Sequence, residues 1–251
     1  MAIKTRKISD WLSANGQAVT NASKATMEDA IRTDIGQLYD GVFIMFHRKS
    51  DNYPLAVRVS SWASYQTGGE IAEGVLLVEG GKHLVIAPTE ASSAKWSSKP
   101  VSSSDTSGSV QISGVTTTSD RIAALNDFAG RANTTAIING STSSNVTNTE
   151  DYAAGFCNRY SRTNANGKGL TAGRWWLPSM GEMAMIWANF DKINYALSKI
   201  NGATQLQTTW YWTSTQYSAT NAWPLNLLDG NVLGSYKFNQ SRVRPVSAFL
   251  N

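Results

Sequence analysis

Histidines, cysteines and paired carboxylates are the side chains that most often carry catalysis or hold a metal, and this chain uses few of them. Its only histidines, His47 and His83, are far apart in "GVFIMFHRK" and "GGKHLVIAP". Such strand-like runs suit partly buried structural histidines better than an acid/base pair or metal ligands. Spacings of the His-x-x-x-His or Cys-x-x-Cys kind are absent, so no metal site is expected. Cys157 is the single cysteine, which rules out an internal disulfide. Its place on the apolar side of a helical pattern marks a small core residue rather than a nucleophile. "EGGK" around Gly80 is too short for a phosphate-binding loop and does not precede a helix. The many serines include no Gly-x-Ser-x-Gly elbow. Glu150 and Asp151 read as an acidic helix N-terminus rather than a catalytic pair. No constellation supports catalysis, and the expectation is a non-enzymatic protein without cofactor.

The chain must therefore be understood through what it can build and display. With 251 residues it can form one large domain, or a medium domain with an appendage. Hydrophobic residues at 41% and aromatics at 10% are enough for a packed core. Nine tryptophans in a chain only 16% charged point to wide, flat side chains bracing irregular backbone. The net charge of +4 is scattered apart from "IKTRK", which reads as a solvated N-terminus, so nucleic acid is not an expected partner. No apolar run has signal-peptide or membrane-span length, so no membrane insertion is expected. An external role then requires release by lysis, as for a phage virion part, or a leader missing from this chain, as for a bacterial cell-surface protein.

Residues 1–68 read as a small N-terminal α/β module of unassigned role. Met27, Ile31, Ile35 and Leu38 recur at helical spacing, and "GVFIMFHRK" and "LAVRVSSW" predict strands. Gly68 and Gly69 predict a boundary, with the main domain over 69–251. There "GVLLVEGGKHLVIAP" predicts a hairpin about a Gly-Gly turn, and the low-complexity stretch Ser97–Ser119 a long surface loop. Ser119 or Asp120 is positioned to cap a helix carrying Ile122, Leu125, Phe128 and Ala132. A second helix near Glu150–Tyr160 places Ala153, Phe156, Cys157 and Tyr160 on one face. Ser179 and Glu182 match a capping box, opening a helix with Met183, Ile186, Trp187 and Phe190. Short strands and turns follow to Asn251, with no tandem repeat. The fold class read from this order is α+β.

One segment breaks the pattern. In "LDGNVLGSYKFNQS", Leu233, Tyr236 and Phe238 stand among Gly, Asn, Ser and Lys with neither helical nor strand period. Around it run "GRWWLPSMGEMAMIW", "WYWTSTQYSATNAW", "DGNV" and "RVRPVSAF". This ordered series resembles the C-type-lectin-like domain of variable proteins from diversity-generating retroelements, particularly those of gut bacteria and their phages, and the related formylglycine-generating-enzyme-like branch. The resemblance spans roughly Ile71 to Asn251 and is most specific in the last forty residues. It implies a C-type lectin fold: short antiparallel strands, two to three helices and long loops.

It also implies a mechanism for diversity. In this family a template copy of the C-terminal gene segment is reverse-transcribed with errors at adenines and written back, here over about Thr213 to Phe249. Asn codons begin with adenines at both leading positions, and changing only those never yields Lys, Glu, Gln, Met, Trp or stop. The departures from the family's Asn-rich runs are Pro224, Leu228, Leu233, Gly234, Ser235, Tyr236, Phe238 and Ser241, each reachable from an Asn codon. Asn226 and Asn239 join them as candidate ligand-binding positions. Trp210, Trp212 and Trp223 have adenine-free codons and are the expected scaffold. Variable side chains should face solvent, with the tryptophans beneath them. Calcium-dependent lectins use Glu-Pro-Asn or Gln-Pro-Asp with Trp-Asn-Asp, and none occurs here, since Trp223 is followed by Pro224 and Leu225. Formylglycine formation needs a cysteine pair, and only Cys157 exists. The expected function is a ligand- or receptor-binding protein displayed on a phage tail or cell surface, with a protein or cell-surface ligand and room for oligomerisation. The alternative is a fixed-sequence adhesion or structural domain sharing the fold.

Overall fold

Two apolar runs on either side of Gly80 and Gly81 form the predicted hairpin, β3 (Gly74–Glu79) and β4 (Lys82–Ile86). Both glycines have positive φ, 54° and 76°, the geometry a tight right-twisted hairpin demands. The computed structural model describes residues 40–249 apart from 106, 108, 141–144 and 147. The helix expected over Met27, Ile31, Ile35 and Leu38 lies outside the described residues.

The hairpin sits inside an antiparallel sheet with β1 (Gly41–His47), β2 (Pro54–Arg58) and β12 (Val246–Ser247), in the order β12-β4-β3-β1-β2. Strands β1 and β3 are apolar without alternation because both faces of the sheet are covered. Ile44, Phe46, Val75 and Leu77 join the largest core cluster, while Phe43, Met45, Leu76 and Val78 pack with Trp175 and Phe249 on the other side. The boundary expected at Gly68–Gly69 runs through this sheet: β1, before it, pairs along its length with β3, after it. Residues 41–67 are thus built into the same core. The predicted strand "LAVRVSSW" stops at Arg58; Val59–Ser61 turn as a 3-10 segment and α1 (Trp62–Thr67) follows, with Trp62 buried against Phe46.

A second five-stranded sheet joins β5 (Ala91–Lys95), β8 (Trp210–Gln216), β9 (Asn221–Asn226), β10 (Ser235–Tyr236) and β11 (Gln240–Val243) in the order β10-β9-β8-β11-β5. All pairs are antiparallel except β11 with β8. A two-stranded ribbon, β6 (Arg162–Thr163) with β7 (Gly169–Leu170), completes the strands. The architecture is mixed α+β with antiparallel sheets.

Helices among the described residues are shorter and more numerous than the two or three expected. Asp120 caps α2 (Arg121–Leu125), its Oδ1 accepting from the N–H of Ile122 at 2.7 Å and of Ala123 at 3.0 Å. The helix then ends, leaving Ile122 72% exposed and Phe128 in the link to α3 (Gly130–Asn139). The single apolar face over Ile122, Leu125, Phe128 and Ala132 does not form. Asp127 breaks it: its carboxylate accepts from Ala129 N, Asn133 Nδ2 and Thr215 Oγ1 at 2.7–2.9 Å, turning the chain between the helices. The predicted helix around Cys157 appears as α4 (Ala153–Arg159), with Ala153 and Cys157 buried; burial pushes the thiol pKa up and leaves it inert. The Ser179/Glu182 capping box opens α5 (Met180–Ala188), where Glu182 Oε2 accepts from Ser179 N at 2.8 Å and Trp176 Nε1 at 3.1 Å. Met183 and Ile186 enter the core as expected, Trp187 is partly exposed, and Phe190 begins α6 (Phe190–Leu197).

Candidate binding face

The face is built on β8 and β9. Trp212 is wholly buried and donates from Nε1 to Ala94 O at 3.1 Å, tying β8 to the β5 side of the sheet. Trp223 is 3% exposed, donates to Thr118 O at 2.8 Å, and takes the Tyr217 ring edge-on at 4.9 Å between centroids. Both are buried and tethered through their indole N–H groups. Trp210 is different: half-buried at the start of β8, it forms a wall of a surface hollow of about 750 Å³.

That hollow lies where the second sheet frays. Five positions proposed from sequence, Pro224, Leu233, Ser235, Asn239 and Ser241, line it together. Leu233 is 41% exposed, Asn239 is exposed, and its Nδ2 donates to Ser235 Oγ at 3.0 Å. Pro224 is buried opposite Trp212 in the ladder, so it does not project freely into solvent as expected. A proline there lacks the N–H that a further ladder bond would use, and β10 pairs β9 only at Asn221 and Ala222.

The other candidates flank the hollow. Asn226, half-buried at the end of β9, accepts Leu228 N on its side chain at 3.0 Å and holds the turn on which Leu228 stands 65% exposed. Tyr236 and Phe238 are half-buried and stack on one another, 5.2 Å apart at 16°. Lys237 between them points inward and is 2% exposed, with Nζ over the Trp96 ring at 4.8 Å and donating to Ala219 O at 2.7 Å and Val110 O at 3.2 Å. Lys237 and Phe238 form the turn that leaves β10, closed by the N–H of Asn239 on Tyr236 O at 2.9 Å, and the inward member of Tyr-Lys-Phe is the lysine. Burial pushes the pKa of that ammonium down to about 7.

Gly234 is not a free position. A Cβ there would meet Tyr217 ring carbons at 2.7 Å, and that ring already leans on Trp223. The glycine permits a close approach of backbone to ring, and the expectation that it presents a variable side chain to solvent is corrected.

Other residues of the hollow gave no sequence signal because they come from separate segments: Ser92 and Ser93 from β5, Gln207 and Thr208 before β8, and Gln240 and Arg242 from β11. Behind Arg242 lies a buried ion network. Glu90, 5% exposed, receives Arg242 Nη1 at 2.8 Å, Arg244 Nη2 at 2.7 Å and the Tyr211 hydroxyl at 2.7 Å. Arg244 is fully buried, and burial with the Glu90 charge holds the Tyr211 hydroxyl protonated, its pKa raised. Neither histidine lines the hollow. His47 is held by its backbone N–H and Nδ1 against buried Glu73, a structural role as expected. His83 is exposed near the hairpin turn rather than partly buried. Among the described residues no group of three metal-ligating side chains forms, and no helix is long and apolar enough to cross a membrane.

No family model and no curated protein matches the chain. Among solved structures it is similar to a fimbrial protein from Bacteroides ovatus at 20% identity and a TM-score of 0.44, over 66% of this chain and 36% of that one. The chain thus spans little more than a third of that protein's length, and a likeness of this size does not assign a fold.

Proposed function

We propose that this chain is a non-enzymatic binding protein of C-type-lectin-like fold whose C-terminal surface is diversified by adenine-directed retroelement mutagenesis, and which meets a protein or cell-surface ligand from a phage tail or bacterial surface. One observation carries the reading. Residues reachable from Asn codons, Leu233, Ser235, Asn239 and Ser241, converge on one hollow, with Leu228, Tyr236 and Phe238 beside it. Beneath them Trp212 and Trp223, whose codons hold no adenine, are held by indole hydrogen bonds, and Trp223 also by the Tyr217 ring. Exposed apolar groups over a rigid base are what an interaction surface requires, with aromatics as anchors and Ser and Asn as adaptable contacts. The antiparallel sheets are in keeping with the lectin-like fold that the sequence resemblance implies.

The test is in the gene. A near-copy of the segment encoding about Thr213 to Phe249 should lie beside a reverse transcriptase, with Asn codons opposite Leu228, Leu233, Ser235, Tyr236, Phe238 and Ser241. Mismatches should fall at template adenines. A locus without such a repeat would overturn the diversification and leave a fixed adhesion domain.

A further inference from the structure

We infer that the hollow takes a carboxylated saccharide, a uronic- or sialic-acid type of sugar, held by Arg242 and stacked on Trp210. The inference rests on the reading of this face as a binding site but not on how its residues arose. Among the described residues, Arg242 is the one charged side chain in the lining. Its charge is not cancelled: Glu90 is shared by Arg242 and Arg244, and Tyr211 contributes only a neutral hydroxyl. Two guanidinium groups, always protonated, against one carboxylate leave one positive charge. Arg244 is fully enclosed while the Arg242 side chain is 30% exposed, so the excess emerges into the hollow. Arg242 gives Nη1 to Glu90, leaving the other N–H groups of its fork for a planar carboxylate.

The rest of the wall favours a sugar over an acidic peptide. Gln207, Thr208, Ser93 and Gln240 offer hydroxyl and amide groups that both donate and accept, the complement of a ring of hydroxyls. Trp210 lines the same hollow and would give its flat ring to the C–H face of such a sugar, while the other apolar lining residues are Leu233 and Pro224. Glu90 behind Arg242 fixes the fork before any ligand arrives, which lowers the ordering cost of binding.

The experiment uses the full chain on an immobilised panel of glucuronic-, galacturonic- and sialic-acid oligosaccharides, beside the same sugars with carboxyls reduced to alcohols. Binding should be confined to the carboxylated members and should weaken with added salt as the charge pair is screened. Arg242→Gln and Trp210→Ala should each weaken it about tenfold or more, and Arg242→Lys should restore only part, since it keeps the charge without the fork. Melting curves unchanged from wild type would show that the variants stay folded. Equal binding of reduced and acidic sugars, indifference to Arg242→Gln, or silence across the acidic panel would each overturn the inference. A protein ligand lost on Tyr236→Ala but not on Arg242→Gln would sink the saccharide while leaving the diversified face standing. Loss of both responses together with absence of the gene repeat would remove that reading as well.

Discussion

Replacing Gly234 with alanine tests whether the candidate face is a free surface or rests on fixed contacts. The added Cβ would lie 2.7 Å from two Tyr217 ring carbons, where carbon atoms normally meet at about 3.5–4.0 Å. The ring must retreat by roughly 1 Å to reach that separation. It cannot move toward Trp223, which is 3% exposed, edge-on at 4.9 Å, and tethered to Thr118 O at 2.8 Å. It can swing toward solvent, because Tyr217 is only half-buried. Overpacking a core costs about 1–3 kcal/mol, and a ring blocked on its Trp223 side but free to swing outward places Gly234→Ala near the middle, about 2 kcal/mol. Gly234 has no positive φ, so alanine also narrows the unfolded ensemble and returns about 0.4–1 kcal/mol. The net expectation is a loss of about 1 kcal/mol, a melting-temperature drop of about 2–4 °C for a chain this long. Urea and thermal unfolding would measure it, with Leu228→Ala, expected to stay within about 0.5 kcal/mol, as the exposed control. In a Tyr217→Ala background the clash disappears, and Gly234→Ala should become neutral or stabilising. If Gly234→Ala is as silent as Leu228→Ala and the double-mutant cycle shows no coupling, the ring does not constrain the glycine and Gly234 rejoins the variable positions.

Trp223→Ala should cost about 3–5 kcal/mol in the same unfolding assay, as for a large buried aromatic, while Leu228→Ser stays within about 0.5 kcal/mol; the reverse ranking would mean that the brace and the display position have been confused. Lys237 predicts a pH dependence. Its folded pKa is pushed down to about 7 by burial, below the unfolded value of about 10.4, so between these the unfolded chain binds more protons. Stability should therefore rise from pH 7 towards pH 10, with the full penalty present below about 7. The neutral amine keeps two N–H donors for the Val110 and Ala219 carbonyls, so deprotonation breaks neither bond. Urea midpoints of wild type and Lys237→Met at pH 7 and 9 would check this; an equal slope in the variant would assign the titration elsewhere.

The local devices were legible in the residues because neighbours in sequence suffice to make them. The Gly80–Gly81 turn needs only two residues free to take positive φ, the Ser179/Glu182 box closes within one helical turn, and Asp120 caps N–H groups two and three residues on. Burial of Trp212 and Trp223 followed from their type, since surfaces that large seek cover wherever the chain leads. The exposed Leu233 was visible as an apolar residue with no periodic partner. What depended on long-range pairing was not legible. The pairing of β1 with β3 across Gly68–Gly69 was not, because strand partners are chosen across the chain and no residue of β1 announces that β3 will lie beside it. The helix from Asp120 was cut short by Asp127, whose carboxylate is claimed by Thr215 from a strand 88 residues away. Gly234 looked like a loop position until the Tyr217 ring was placed against it, and Trp210 like a brace until β8 left it beside the hollow. The surplus charge at Arg242 has the same origin. The sequence determines that the chain contains Glu90, Arg242 and Arg244, but only the fold, by bringing β11 beside β5 and enclosing Arg244, decides that one carboxylate serves two arginines and which of them faces the solvent.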